Sequence, residues 1–502
     1  MKAFILLFFS YLICSSVAQV HELQATLQQP VGTIGLEPLG NNAQYGFSVA
    51  ISENNEYVFV SAITTRESPT ISGSGSIFIY KNNAGEWHLH QRLFSTGFGD
   101  HFGSTSIVPY KLNGKQYVAI SLIGTPANDT VSLNDNDFSG SVRIYRLETN
   151  GYWELFQVLD ENTPGVVING RGDEFDEASV FGISIAYEPS KKLLFVGAPG
   201  TNKTVDEETL KGVGRVFVFN FNGEWVYETV IECPSACIEF GFFGAKVAAS
   251  GNWLFISNAH VFAQSPRTDL KKVWVFEYKN NEWQHRQTLN GFQTQEIVDR
   301  MQHNDYFGAS IVTDGNWLAV SAPAEATLWQ RAIGAVYIYK RQAQTWSFVQ
   351  RITTDEPTTQ GFTSMYSMHL HNNNLYIPDI GRSTHGMRHG GVLVYKRQGN
   401  AWYLDEVLSD ETTDYTYSGF SVYATNSHVV VGSNSIIDVL FPAFGPCADP
   451  KDIGFVATAS VSYNNVTEEC EATSSLNFCS QRLPFVLPAE SFGTGRVYIY
   501  SH

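Results

Sequence analysis

The chain has 502 residues, 43% of them hydrophobic and 14% aromatic, enough to bury a large core. Its formal charge of −17 excludes nucleic acid and anionic membrane from the expected partners. Gly 42 and Tyr 24 beside 16% charged residues exclude a helix-rich chain and point to strands and tight turns.

Residues 1–18 have the layout of a secretory signal. Lys2 supplies the positive charge, Phe4, Leu6, Leu7, Phe8 and Phe9 the apolar centre, and Ser16, Val17 and Ala18 small residues for cleavage. The apolar run is shorter than the ~20 residues a membrane span needs. A mature chain from Gln19 is therefore expected, secreted and without a membrane span.

Four short segments then recur in fixed order, the mark of a repeat architecture. The first opens on an aromatic-Gly pair, as at Tyr45-Gly46, Phe102-Gly103, Phe181-Gly182, Phe243-Gly244 and Phe307-Gly308, with degenerate copies at 364–369 and 418–423. Its small residues suit an innermost strand, where all repeats crowd one axis. The second is an apolar run closing in small residues, as at 194–199 and 318–323, and fits a strand buried on both faces. The third reads Gly-x-apolar-x-apolar-Tyr, as at 77–80, 336–339 and 497–500. The fourth runs from a tryptophan to an aliphatic six residues later, from Trp87 and Leu93 to Trp402 and Leu408. That even spacing predicts both ends on one strand face, against the next blade.

The first three segments occur seven times and the tryptophan segment six. The surplus lies at the other terminus, where 21–27 has the right length and closing Leu27, with His21 in place of the tryptophan. The expected fold is all-β: residues 19–502 form one seven-bladed β-propeller of four-stranded antiparallel blades. The N-terminal strand completes the last blade and removes the open edges. A cysteine-containing insertion at about 433–494 interrupts that blade.

These repeats resemble FG-GAP repeats, the unit of the integrin α-subunit propeller, in the aromatic-Gly start, the endings at Val196 to Pro199 and Val320 to Pro323, and the Gly-x-Val-Tyr-Ile-Tyr strand. The resemblance implies the propeller fold over about 20–502 and an extracellular binding or adhesion role. Integrin-type repeats often carry a calcium loop between first and second strands. Here those connections are short, as at 52–56 and 313–316, and none supplies four spaced oxygen ligands. Calcium binding is not carried over, and no cofactor or metal is expected.

Candidate sites follow from the long loops. Asp173, Glu174, Asp176 and Glu177 could recruit a basic partner, and Arg171-Gly172-Asp173 also occurs there. Cys233, Cys237, Cys447, Cys470 and Cys479 are the disulfide candidates, with Cys233–Cys237 plus one pair among the other three expected. Asn128, Asn202 and Asn465 head glycosylation sequons. His88 with His90 and His369 with His371 would each share a strand face. Enzyme motifs are missing: no HExxH, GxSxG, P-loop or dinucleotide glycine motif occurs. No catalytic residue is assigned, although Asp305, Asp379 and Glu490 could belong to a loop acid pair. The expected function is a secreted binding module for an extracellular protein or glycan. A carbohydrate-active or other hydrolytic enzyme, or a structural surface component, is the alternative.

Overall fold

The computed structural model describes residues 21–28, 30, 44–65, 73–95, 100–124, 138–168, 178–205, 207–234, 238–259, 271–291, 306–323, 325, 334–353, 367–380, 382–384, 387–388, 390–409, 418–433, 461–464, 469–472 and 496–501. The repeats fold as seven four-stranded antiparallel sheets, each with its strands side by side in meander order. Blade 1 comprises Tyr45–Ile51, Tyr57–Ala62, Ser76–Asn83 and Glu86–Phe94. The first strands of successive blades touch one another in a closed circuit of seven, so they surround the axis. Blade 7 takes Ser418–Ala424, His428–Ser433 and Arg496–Ser501 from the C-terminal side and Glu22–Gln28 from the N-terminal side. The last two pair from Glu22 with Ser501 to Gln28 with Arg496. The ring is thus a seven-bladed β-propeller, closed where the excess segment matches the missing one.

The core lies between the blades. Seven buried apolar clusters each span two consecutive blades, from the one joining Phe59 to Val118 and Trp153 to the one joining Val430 and Val497 to Val58 and Leu27. The repeat's glycines permit this close approach. Gly46 sits at φ +84°, and a Cβ there would meet the carbonyl oxygens of Arg496 and Ser433 at 2.8 Å. Gly214 directly precedes a third strand, and a Cβ on it would lie 2.0 Å from the Phe243 carbonyl oxygen. Phe243 N, in turn, donates to Val213 O at 3.0 Å. The aromatic-Gly start of one blade therefore docks on the glycine before the preceding blade's third strand.

The tryptophan segment departs from its predicted orientation. Every outermost strand carries a β-bulge, which skips His90, Phe156, Glu228, Arg286, Val349, Asp405 and, in the closing strand, Gln24. One extra residue reverses the alternation beyond it. The tryptophan and the aliphatic six residues on consequently face opposite ways. Trp346 packs on Phe255 and Trp253 of the preceding blade, with ring centroids 4.9 and 5.8 Å away, and Ile352 joins the cluster shared with the following blade. Trp153 and Trp402 likewise meet Phe59 and Trp317 behind them.

A second device ties neighbouring outer strands. The Gln91 side chain donates to Trp153 O at 2.8 Å and accepts from Trp153 N at 2.9 Å. Gln157 does the same to Trp225, Gln287 to Trp346 and Gln350 to Trp402. Each glutamine stands four residues after its own blade's tryptophan. At the closing seam that position is Glu406, which accepts from His21 N at 3.3 Å and also contacts the imidazole Nδ1. His21 packs edge-on against Tyr376 of blade 6, in the place tryptophans take elsewhere.

Candidate functional site

Strand order sorts the connections onto two faces. Links between first and second strands, and between third and fourth, share one face and span two to five residues, such as 113–114 and 148–152. Links between second and third strands share the other face with the blade-to-blade links and are long, from 323–334 up to 434–495. Three of them carry hairpins of their own: Lys203–Val205 with Glu208–Leu210, Ser383–Thr384 with Met387–Arg388, and Val461–Asn464 with Glu469–Ala472. One face is therefore a plain rim of turns, and the other holds the extra hairpins found among the described residues.

Cys233, Cys470 and Asn202 fall in connections of that elaborated face. Asp173, Glu174, Asp176 and Glu177 lie outside the described residues, but the start of their loop is anchored. Asp160 is buried and accepts from Asn162 N at 2.9 Å, and Val166 sits in the core. Cys233, directly after the fourth strand of blade 3, is disulfide-bonded. Cys470 lies on the strand Glu469–Ala472, whereas Cys237, Cys447 and Cys479 lie outside the described residues. Of the sequon asparagines, Asn202 is described. It accepts from Gly212 N at 2.9 Å.

The histidine pairs resolve into packing roles. His90 is a bulge residue. It stacks on Tyr152 and bonds Gly151 O at 2.8 Å, while His88 stands by Glu86. His369 packs tilted against Tyr423, and burial, with His371 nearby, lowers its pKa to about 3; His371 bonds Asn426 instead. Among the described residues no three His, Cys, Asp or Glu side chains converge as metal ligands. Of the loop acids, Asp305 and Glu490 lie outside the described residues. Asp379 is buried, and its backbone bonds Gly391 in both directions. Glu325, which the sequence did not single out, is fully buried between Tyr337 Oη and the Arg351 guanidinium, a closed structural ion pair.

The axis holds the feature that sequence reading missed. Where second-strand pairing places a residue opposite Ser61 in blade 1, register assigns Ser48, Ser106, Ser184, Lys246, Ser310, Ser367 and Ser421 around the ring. Most of these serines reach the next blade. Ser184 Oγ accepts from Val247 N at 2.7 Å, Ser310 from Met368 N and Ser367 from Val422 N at 3.0 Å, and Ser421 donates to Gly46 O at 3.2 Å. Blade 4 alone replaces serine with lysine. The signal was one Lys among aligned small residues, visible only once the register is known.

The fold defines a β-propeller with an elaborated face and a polar axial ring. No protein-family model matches the chain, and no curated protein does. Among solved structures it is similar to the periplasmic gluconolactonase of Pseudomonas aeruginosa, at 14% identity and a TM-score of 0.41, over 73% of this chain and 85% of that one. A likeness of that degree bears on neither activity nor ligand.

Proposed function

We propose that this protein is a secreted binding module of the FG-GAP kind that recognises an extracellular protein or glycan through its elaborated face. The observation that carries the reading is the confinement of the three extra hairpins among the described residues to one class of connection, and so to one face. Long loops held on a rigid scaffold are where recognition concentrates. The acidic string at 173–177 lies in sequence between blades 2 and 3 and suits a basic patch on the partner. The disulfide at Cys233 accords with an oxidising compartment.

Capture from extracellular material tests this. The bait is the full chain, beside versions with 203–210 or 434–495 replaced by a short turn. Partners retained by the full chain and lost with either replacement support the face. Identical capture by all three removes the case for it.

A further inference from the structure

Lys246 occupies a ring position that the other six blades give to serine. In blades 3, 5 and 6 that serine closes the seam by accepting an amide of the next blade. An ammonium donates only, so this side chain cannot accept from Ile311 N, the equivalent amide of blade 5. Nor does the seam have room for it. Ser257 Oγ donates to Gly308 O at 2.7 Å across the same seam, and a Cβ on Gly308 would meet Ser257 Cβ at 2.7 Å. The long stem must therefore leave the seam, and the side chain keeps partial solvent contact.

Among the described residues no counter-charge answers this cation. The strands packed most closely on Lys246–Ser250 are Ser184–Glu188, Leu193–Ala198, Trp253–Ser257 and Ile311–Thr313. Their titratable groups are Tyr187 and Glu188. Glu188 is at the far end of its strand and already accepts from Ser190 and from Gly251 N. One level further along, blades 3, 4 and 5 present Ala186, Ala248 and Val312. Burial, with no charged neighbour, lowers the Lys246 pKa to about 8, which leaves the amine mostly charged at neutral pH. Beside it stand Ser184 and Ser310. Their oxygens are fixed by an amide apiece, and their hydroxyl hydrogens are left to donate.

We propose that the axis of the ring at Lys246 binds a small organic carboxylate, paired with the Lys246 ammonium and hydrogen-bonded by the hydroxyls of Ser184 and Ser310. One cation with neutral donors matches a single negative charge. A phosphate dianion would call for a second cation or an arginine fork, and none shares this level of the ring. The site goes beyond the loop-face reading and does not depend on it, since shortening the hairpins leaves Lys246 in place.

The test is NMR of the whole protein with 13C-methylated lysines, titrated in sodium acetate, sodium phosphate or sodium chloride at equal ionic strength. Lys246→Ser installs the ring's own residue and so preserves folding, and its missing signal assigns Lys246. Lys246→Met keeps the bulk without the charge. The expected result is a Lys246 midpoint near 8 in chloride. It should rise by about one unit once acetate is about tenfold above its Kd, because the anion binds the charged form. Acetate should also raise the thermal midpoint of the wild type and of neither variant. No acetate shift, a larger shift in phosphate, equal stabilisation of wild type and variants, or a midpoint at the ordinary lysine value would each overturn the proposal.

Discussion

Replacing Trp346 with alanine tests how the blades are held together. The side chain is 2% exposed and presents its edge to Phe255 and Trp253 of the preceding blade. Truncating a buried tryptophan costs about 3–5 kcal/mol, of which each edge-to-face pair supplies about 1 kcal/mol. The amide clamp from Gln287 survives, because it grips the backbone of residue 346. Urea unfolding followed by far-ultraviolet circular dichroism gives the loss, provided the slope with denaturant is unchanged. The direction of packing is read by double-mutant cycles. Trp346→Ala should couple to Phe255→Leu by about 1 kcal/mol and add independently to Leu375→Ala in blade 6. Coupling to Leu375 with none to Phe255 would refute the bulge-driven reversal and restore the orientation that even spacing predicts.

Three further outcomes follow from the same seams. Lys246 holds its proton less tightly folded, with a pKa near 8, than unfolded, near 10.5, so the unfolded chain binds more protons between those values. Wild-type stability should therefore rise relative to Lys246→Ser from pH 8 to pH 10, by at most about 3 kcal/mol and less for the solvent contact the side chain keeps; parallel pH curves in chemical denaturation would contradict this. Deleting residues 21–28 leaves the strand Arg496–Ser501 as an open edge, so the thermal midpoint should fall and light scattering should report association. Thr229 occupies the clamp position in blade 3, and Thr229→Gln should add about 1 kcal/mol by bonding the Trp283 backbone, measured by the same urea assay.

Much of this architecture was legible in the sequence, because seven copies in register fix strand count, blade order and the closing strand. Tyr45-Gly46 and Phe243-Gly244 could be read as innermost-strand starts from composition alone. Their docking on Gly214 and its equivalents could not, since that contact joins two repeats. The bulges were hidden for a related reason. An extra residue such as His90 or Arg286 leaves no composition signal, yet it turns Trp87 and Trp283 to the opposite face. Gln91, Gln157, Gln287 and Gln350 recur at a fixed offset, but their role needs the next blade's backbone. Lys246 became conspicuous only when pairing with Ser257 placed it level with six serines. The expected disulfide partners and the acid string at 173–177 depend on long connections, where periodicity carries no information.

The central claim is that recognition belongs to the elaborated face. A photocrosslinking residue placed singly at Glu208, exposed in the 203–210 hairpin, or at Glu86, exposed beside the short turn of blade 1, compares the two faces without altering the fold. Each protein is irradiated on native extracellular material, and covalent adducts are identified by mass. Specific adducts from position 208 and none from position 86 are predicted. Adducts from position 86 alone would contradict the claim.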